Sequence, residues 1–482
     1  MRVRLTLTVL VAAAVSMSAG GGEPYPRAVP EASPAAVEPL PVADAPWSDA
    51  PWSDAWLLSF TDAYLHDGEA RRAAVLQSLR NPDNLYGKLR VASYARVDTG
   101  WDALPTWNPR TVVLTDAELE TLQARGTVRL PDDAAPLWDG ETPDTMAQWV
   151  ALGRRVFFTY PLRPEAAAAH ALAVARADAI GLRRDPAAGD GGVVPGVVAF
   201  ADVDGDTKVG ITCALCHTAL EDGALVVGRA RRELDYGAMR LAWHRDLGDA
   251  IDPRLAARLA SWGPGRADIT EDDDADPVAI PDLWRLRSLR ALTQAATIVH
   301  DRRDGSATPL VLAIRQETQY IHANGERTRP PRELAWALAM FLYSLDAPPI
   351  ADAAISAGAG DDARIARGRA VFEAHCLDCH GDEARSGVPV SARRVGTDPA
   401  LANGTSRGTG LYRPAPLVGV TAAAPYLHDG SVATLDDLFD RARLQPGFAR
   451  GARGPGAVPG HAYGTKLSAH DRDALVAWLR TQ

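Results

Sequence analysis

The chain has 482 residues, 46% hydrophobic and 23% charged, which suits a folded protein and excludes a mainly disordered, collagenous or polytopic membrane chain. A formal net charge of −10 argues against a general nucleic-acid binder. The 41 glycines and 35 prolines predict long loops, and the excess of arginine over three lysines is read as coding bias.

Met1-Arg2-Val3-Arg4 is a basic start, followed by an apolar core from Leu5 to Val15 and then small residues. The core is too short to span a bilayer. The pattern predicts a secretory signal peptide over 1–19, with cleavage near Ala19. No cysteine stands at the cleavage point, and no later stretch is apolar enough to cross a membrane, so neither a lipid nor a transmembrane anchor is expected. Residues 20–55 are rich in Pro, Ala and Asp and repeat Ala-Pro-Trp-Ser-Asp at 45–49 and 50–54, which reads as a linker. Residues 56–147 form an accessory N-terminal lobe, helical at 56–79 and irregular beyond. A helix is predicted at 115–125, with Thr115 as N-cap and Glu118 three residues on.

From residue 148 one design occurs twice. Gly153-Arg-Arg-Val-Phe157 matches Gly368-Arg-Ala-Val-Phe372, and each opens an amphipathic helix. Ala337-Leu-Ala-Met-Phe-Leu342 matches Ala474-Leu-Val-Ala-Trp-Leu479, and each closes its unit with an apolar helix. Phe157 with Phe341, and Phe372 with Trp478, are expected at the helix–helix contacts. The units are placed at 148–346 and 363–482, joined by a linker at 347–362. The first carries about 50 extra residues after its opening helix.

Each unit holds one pair of cysteines: Cys213-Ala-Leu-Cys216-His217 and Cys376-Leu-Asp-Cys379-His380. Positions i, i+3 and i+4 share one face of a helical turn. Two thiols so placed can bond the vinyl groups of one haem, and the adjacent histidine can reach the iron from the same side. A shared zinc site would need the pairs close together, and they lie about 160 residues apart. A thioredoxin-like disulfide predicts one redox pair in a βαβ setting. Neither explains why both pairs end in histidine. Two covalently bound haem c groups follow, ligated by His217 and His380. Haem attachment outside the bacterial cytoplasmic membrane agrees with the signal peptide and predicts a periplasmic or extracellular location. The fold class expected is mainly α, with two cytochrome c-like domains and an additional irregular N-terminal lobe.

Residues 148–482 resemble the superfamily of dihaem cytochrome c peroxidases, which includes rubber oxygenase. The resemblance rests on the haem motifs, on Ala424-Pro-Tyr-Leu-His-Asp-Gly-Ser-Val-Ala-Thr-Leu435, and on Pro459-Gly-His-Ala-Tyr-Gly-Thr-Lys-Leu-Ser468. It implies electron transfer coupled to an oxidoreductase reaction with peroxide or dioxygen, and a small redox protein as donor or acceptor. A non-catalytic dihaem electron carrier is the alternative. Among the superfamily's peroxidases the C-terminal haem often takes a methionine as sixth ligand. Here no methionine follows Met340. His428, His461 and His470 remain, and the likeness to rubber oxygenase selects His461 and so a bis-histidine second haem. The resemblance also implies a reactive first haem. Its distal candidates are Met239, His244, His300 and His322. His322 lies 19 residues before Phe341, much as His461 lies 17 before Trp478, and is taken as the distal residue.

The superfamily places an aromatic residue between its haems, and Trp243, Trp262 and Trp284 are the candidates here, each with packing as its other reading. Arg229 and Arg393 are candidate partners for haem propionates. The acidic run Glu271–Asp274 offers oxygen ligands to Ca2+ between the units, although a solvated loop explains it as well. Asp202-Val-Asp-Gly-Asp206 opens like an EF-hand loop but has Cys213 where that loop needs glutamate, so it reads as a turn.

Overall fold

The computed structural model describes residues 53–482, apart from 95, 97–98, 249, 269, 271–273, 301–308, 348–361 and 382–384. The expected signal peptide, almost all of the first linker and most of the second therefore lie outside the described residues. The fold is mainly helical. Helices α1 (Asp54–Leu58), α2 (Thr61–His66), α3 (Gly68–Ser78) and α4 (Leu85–Ser93) open the chain, and α5 follows at Asp116–Arg125. The α5 ends are those the sequence signals: Thr115 and Glu118 form a reciprocal capping box, and Gly126 closes the helix in the left-handed region.

The first unit opens with α6 (Met146–Thr159), capped by Thr145 and Gln148. It then passes through α7 (Ala166–Ala173), α9 (Tyr236–Leu247), α10 (Pro253–Trp262) and α11 (Leu310–Ala323), with the haem motif itself in α8 (Ala214–His217). It closes with α12 (Arg332–Ser344), whose residues 334–343 are all buried. Such a helix belongs inside a core rather than on its surface. In α6, Trp149, Leu152, Gly153 and Val156 form one buried stripe at helical spacing. Each large apolar side chain buried here contributes about 1.5–3 kcal/mol by leaving water. The second unit repeats the scheme with α13 (Asp362–His375) and α14 (Ala469–Leu479), separated by loops and short helical turns.

The two helix pairs meet in the same way. A Cβ on Gly153 would lie 2.0 Å from the carbonyl oxygen of Ala337, and one on Gly368 would lie 2.0 Å from that of Ala474. The rings beside these contacts are the expected ones: Phe157 and Phe341 centre 5.3 Å apart, Phe372 and Trp478 4.5 Å apart. Close backbone approach explains why each opening helix carries glycine at that position. Gly368→Ala is expected to destabilise the protein by about 1–3 kcal/mol or more through overpacking. Gly447→Ala, where a Cβ meets nothing within 4 Å, should leave the urea midpoint nearly unchanged. Equal midpoints for the two variants would contradict this packing.

The roughly 50 extra residues of the first unit supply most of a four-stranded antiparallel sheet in the order β1-β3-β4-β2, comprising β1 (Thr111–Val113), β2 (Arg163–Pro164), β3 (Val197–Ala201) and β4 (Thr207–Ile211). Strand β1 comes from the N-terminal region and pairs with β3, Thr111 opposite Phe200. The front residues are thus not set apart. Leu57, Tyr64, Leu89 and Trp101 share one core with Trp149, Tyr320 and Trp336. Buried Glu317 on α11 joins the two regions: Tyr64 and Tyr94 both donate to its Oε2, at 2.9 and 2.7 Å, and Arg332 lies 3.5 Å from its Oε1.

Candidate haem sites

The second motif continues directly from α13. Amides of Cys376 and His380 bond back to the carbonyls of Phe372 and Cys376, at 2.8 and 3.0 Å, which holds the motif in a tight turn. The Nδ1 of His380 lies 2.7 Å from the carbonyl of Arg385. A carbonyl can only accept, so Nδ1 carries the proton and Nε2 is left as a ligand. Both thiols are unpaired and line a cavity shared with Phe372, Leu417, Leu475 and His461. Burial, then Cys379, pushes the Cys376 thiol up to about 11, so it is held as a neutral thiol.

His461 faces His380 across this cavity. Their ring centres are 6.4 Å apart. Two metal–imidazole bonds of about 2 Å, with each ring centre about 1.1 Å behind its nitrogen, would set the centres about 6.2 Å apart. The loop carrying His461 is fixed at several points. His461 has a φ of 43°, and its amide donates to the carbonyl of Val395 at 2.7 Å. Gly460 precedes it at φ 89°, where a Cβ would lie 2.4 Å from Thr397 Cα. Fully buried Arg443 spends its guanidinium on the carbonyls of Leu438, Val458 and His461, at 3.0, 2.7 and 2.8 Å. Burial, then His380 and Arg443, lowers the His461 imidazole to about 4, which keeps it neutral. Its Nδ1 is buried without a protein partner. The donor set therefore fits a bis-histidine haem c.

The other histidines of this unit are placed differently. His428 lines the cavity beside Tyr412, with Nε2 3.3 Å from the Tyr412 hydroxyl, and its carbonyl accepts from the amide of Ala279 in the first unit. His375 lines the cavity rim and is exposed, and His470 is exposed outside the cavity.

The first motif is built differently and has the same chemistry. His217 Nδ1 lies 3.0 Å from the carbonyl of Pro281, so its Nε2 is again left as ligand. Burial lowers this imidazole to about 4. A hairpin follows at once, β5 (Thr218–Glu221) with β6 (Ala224–Val227). The Tyr320 hydroxyl of α11 is 3.6 Å from Cys213 Sγ. Among the described residues no ring stands across from His217 as His461 stands across from His380. His300 has both nitrogens engaged, Nδ1 with the Leu289 carbonyl at 3.0 Å and Nε2 with the Tyr343 hydroxyl at 2.7 Å. Met239 is core, and His244 packs against Trp243 on α9. His322 sits two residues after Tyr320, about 200° further around the helix, and its Nδ1 is 3.8 Å from Glu326. That contact places Glu326 beside His322.

Of the three tryptophans, one lies between the sites. Trp284 lines the second cavity, donates from Nε1 to the Val227 carbonyl at 3.2 Å, and abuts Gly228, whose amide bonds to the His217 carbonyl. Pro281, which holds His217, lines the same cavity. Residues 281–284 thus touch both sites. Trp262 stacks on Tyr236 in the core, and Trp243 packs against that core. Arg229 turns to Glu221 and the Ala422 carbonyl at the contact between units, and Arg393 is exposed. Neither lines the second cavity. Among the described residues no group of three potential metal ligands occurs. Residues 271–273 of the acidic run proposed for Ca2+ are outside them. In the Asp202–Asp206 turn, Lys208 Nζ bonds Asp202 and Asp204, occupying the place a cation would take.

Sequence reasoning missed one further repeat. Val299-His300-Asp301 before Gly305-Ser306-Ala307 resembles Leu427-His428-Asp429-Gly430-Ser431. Both histidine rings pack on a tyrosine, Tyr343 and Tyr412. The inserted residues between Asp301 and Gly305 hide the match.

Comparison with known proteins reaches part of the chain. Residues 410–446 match a family model described as RoxA-like, cytochrome c-like. That segment supplies Tyr412, Leu417 and His428 to the wall of the second cavity. No curated protein matches the chain. Among solved structures, a MauG-like protein associated with microbial copper homeostasis aligns at 20% identity over 45% of this chain and 79% of its own, with a TM-score of 0.29. The family match and the paired motifs support a cytochrome c-like, haem-binding protein with redox function. No helix among the described residues is long and apolar enough to cross a membrane.

Proposed function

We propose that the chain is an exported dihaem c-type cytochrome. His380 and His461 would hold the second haem as an electron relay, and His217 would hold the first, where a peroxidase-like or oxygenase-like reaction would take place. The observation that carries this reading is the difference between the sites: His461 is locked opposite His380, while among the described residues no comparable ring faces His217. Haem supplies one-electron chemistry when bound, and an iron position without a strong protein ligand can bind peroxide or dioxygen.

The chain's own residues set the conditions. Cys213 with Cys216, and Cys376 with Cys379, hold the groups covalently. Pro281 and Arg385 carbonyls fix the proximal tautomers, which orients each Nε2 and raises its basicity. Arg443 positions His461 from behind. Trp284 bridges the sites, and the donor or acceptor is a small redox protein. In the mature chain Ca2+ plays no assigned part in these steps.

Trp284→Phe is expected to leave both haem spectra intact and to slow electron passage between the haems by an order of magnitude or more, measured by stopped-flow absorption. An unchanged rate would remove Trp284 from the path. The reading itself is tested by electron paramagnetic resonance of the oxidised protein, which should show one high-spin and one low-spin iron. Low-spin signals alone in every redox state would favour the plain electron carrier.

A further inference from the structure

Arg413 stands in the wall of the second cavity and belongs to the second unit, but its support comes from the first. Its Nη1 donates to the carbonyls of Ala291 and Leu292, at 3.0 and 3.2 Å, and its amide donates to the carbonyl of Gln294 at 2.8 Å. Its Nε is buried without a partner. The neighbouring cations of the same wall are already paired, Arg232 with Asp282 at 3.1 Å and Arg394 with Asp378 at 2.6 Å. Among the described residues no carboxylate pairs with Arg413. Burial alone lowers its guanidinium, to about 10, which reflects how little anionic charge the protein provides there. Unlike Arg443, whose three bonds to carbonyls use Nε and both Nη atoms, Arg413 keeps Nε free to take an anion, and its planar fork matches a carboxylate. A haem carries two such groups on its rim.

We propose that Arg413 anchors a propionate of the second haem through Nε, with Ala291 and Leu292 of the first unit holding the guanidinium in place. The proposal rests on the haem reading of this cavity. It makes the second haem site a joint product of both units, since the anchor of one is positioned by the backbone of the other. A cation on the propionate favours the reduced, less positive iron and so raises its reduction potential.

The test uses the full, haem-loaded protein with Arg413→Lys and Arg413→Met. Haem stoichiometry, measured on denatured protein, checks the underlying reading separately: fewer than two haems in the unsubstituted protein would overturn that reading whatever Arg413 does. With two haems bound, redox titration should show the low-spin midpoint lowered in R413M, less lowered in R413K, and the high-spin midpoint unmoved. Resonance Raman should show the propionate bending band shifted in R413K, the variant that keeps the charge and is the more tolerant of folding. An unmoved low-spin midpoint in R413M, or an unmoved propionate band in R413K, would reduce Arg413 to a packing role and overturn the proposal.

Discussion

His461→Ala is expected to convert the second haem from low spin to high spin while the chain keeps both haems. The covalent links and His380 do not depend on His461, so attachment survives. Nothing nearby is placed to substitute. His428 is engaged with Tyr412, His375 is an exposed residue directly before Cys376, His470 is exposed, and no methionine follows Met340. The loop also resists collapse, because Arg443 bonds to the His461 backbone rather than its ring and remains in place when the ring is removed. The vacated position should accept added imidazole, which would restore the low-spin spectrum. An unchanged spectrum in H461A would refute the ligand assignment. Arg443→Met should give a milder version, with His461 present and less firmly held, seen as a mixed-spin spectrum that sharpens on cooling.

Glu317→Ala should produce the largest loss of stability, about 3–5 kcal/mol, because it strips the partner from a buried charge and two buried hydroxyls at once. Tyr64 and Tyr94 both donate to the lost oxygen, and Arg332 keeps only Asp102, at 2.5 Å. Burial first, and then Glu317, holds both tyrosines well above their ordinary pKa. They therefore stay protonated donors at any physiological pH. Tyr64→Phe removes one donor and leaves the carboxylate its other partners, so about 1 kcal/mol is expected. Urea denaturation of the two variants distinguishes them. Because Glu317 ties the front helices to α11 and α12, E317A should also expose residues 54–94 to proteases before the haem units open. A stability loss in E317A no larger than in Y64F would show that the cluster is not a shared anchor.

The features legible in the sequence are those whose information is local. Each Cys-x-x-Cys-His motif, the Thr115 cap and the glycines of α6 and α13 lie within a few residues of the structure they specify. The match of 337–342 to 474–479 needed only a second copy for comparison. Features that depend on distant partners could not be read. Glu317 is one acidic residue on a helix until Tyr64 and Tyr94 are folded against it. Trp284 was one of three tryptophans until the Pro281 turn placed it beside both sites. Arg413 was one of many arginines, and only burial against Ala291 and Leu292 sets it apart from Arg229 and Arg393. The spacing argument for His322 leaves its direction open for a related reason. A similar distance from a closing helix does not fix which way a helical side chain turns, and Tyr320 takes the direction toward Cys213. His461 sits in an irregular loop whose position depends on Arg443 rather than on residue count.

The most direct measurement is the intact mass of the exported, denatured protein, combined with thiol titration. Two haem groups per chain and no reactive thiol at 213, 216, 376 or 379 are predicted. A mass equal to the bare mature polypeptide, with four titratable thiols, would contradict the account at its root.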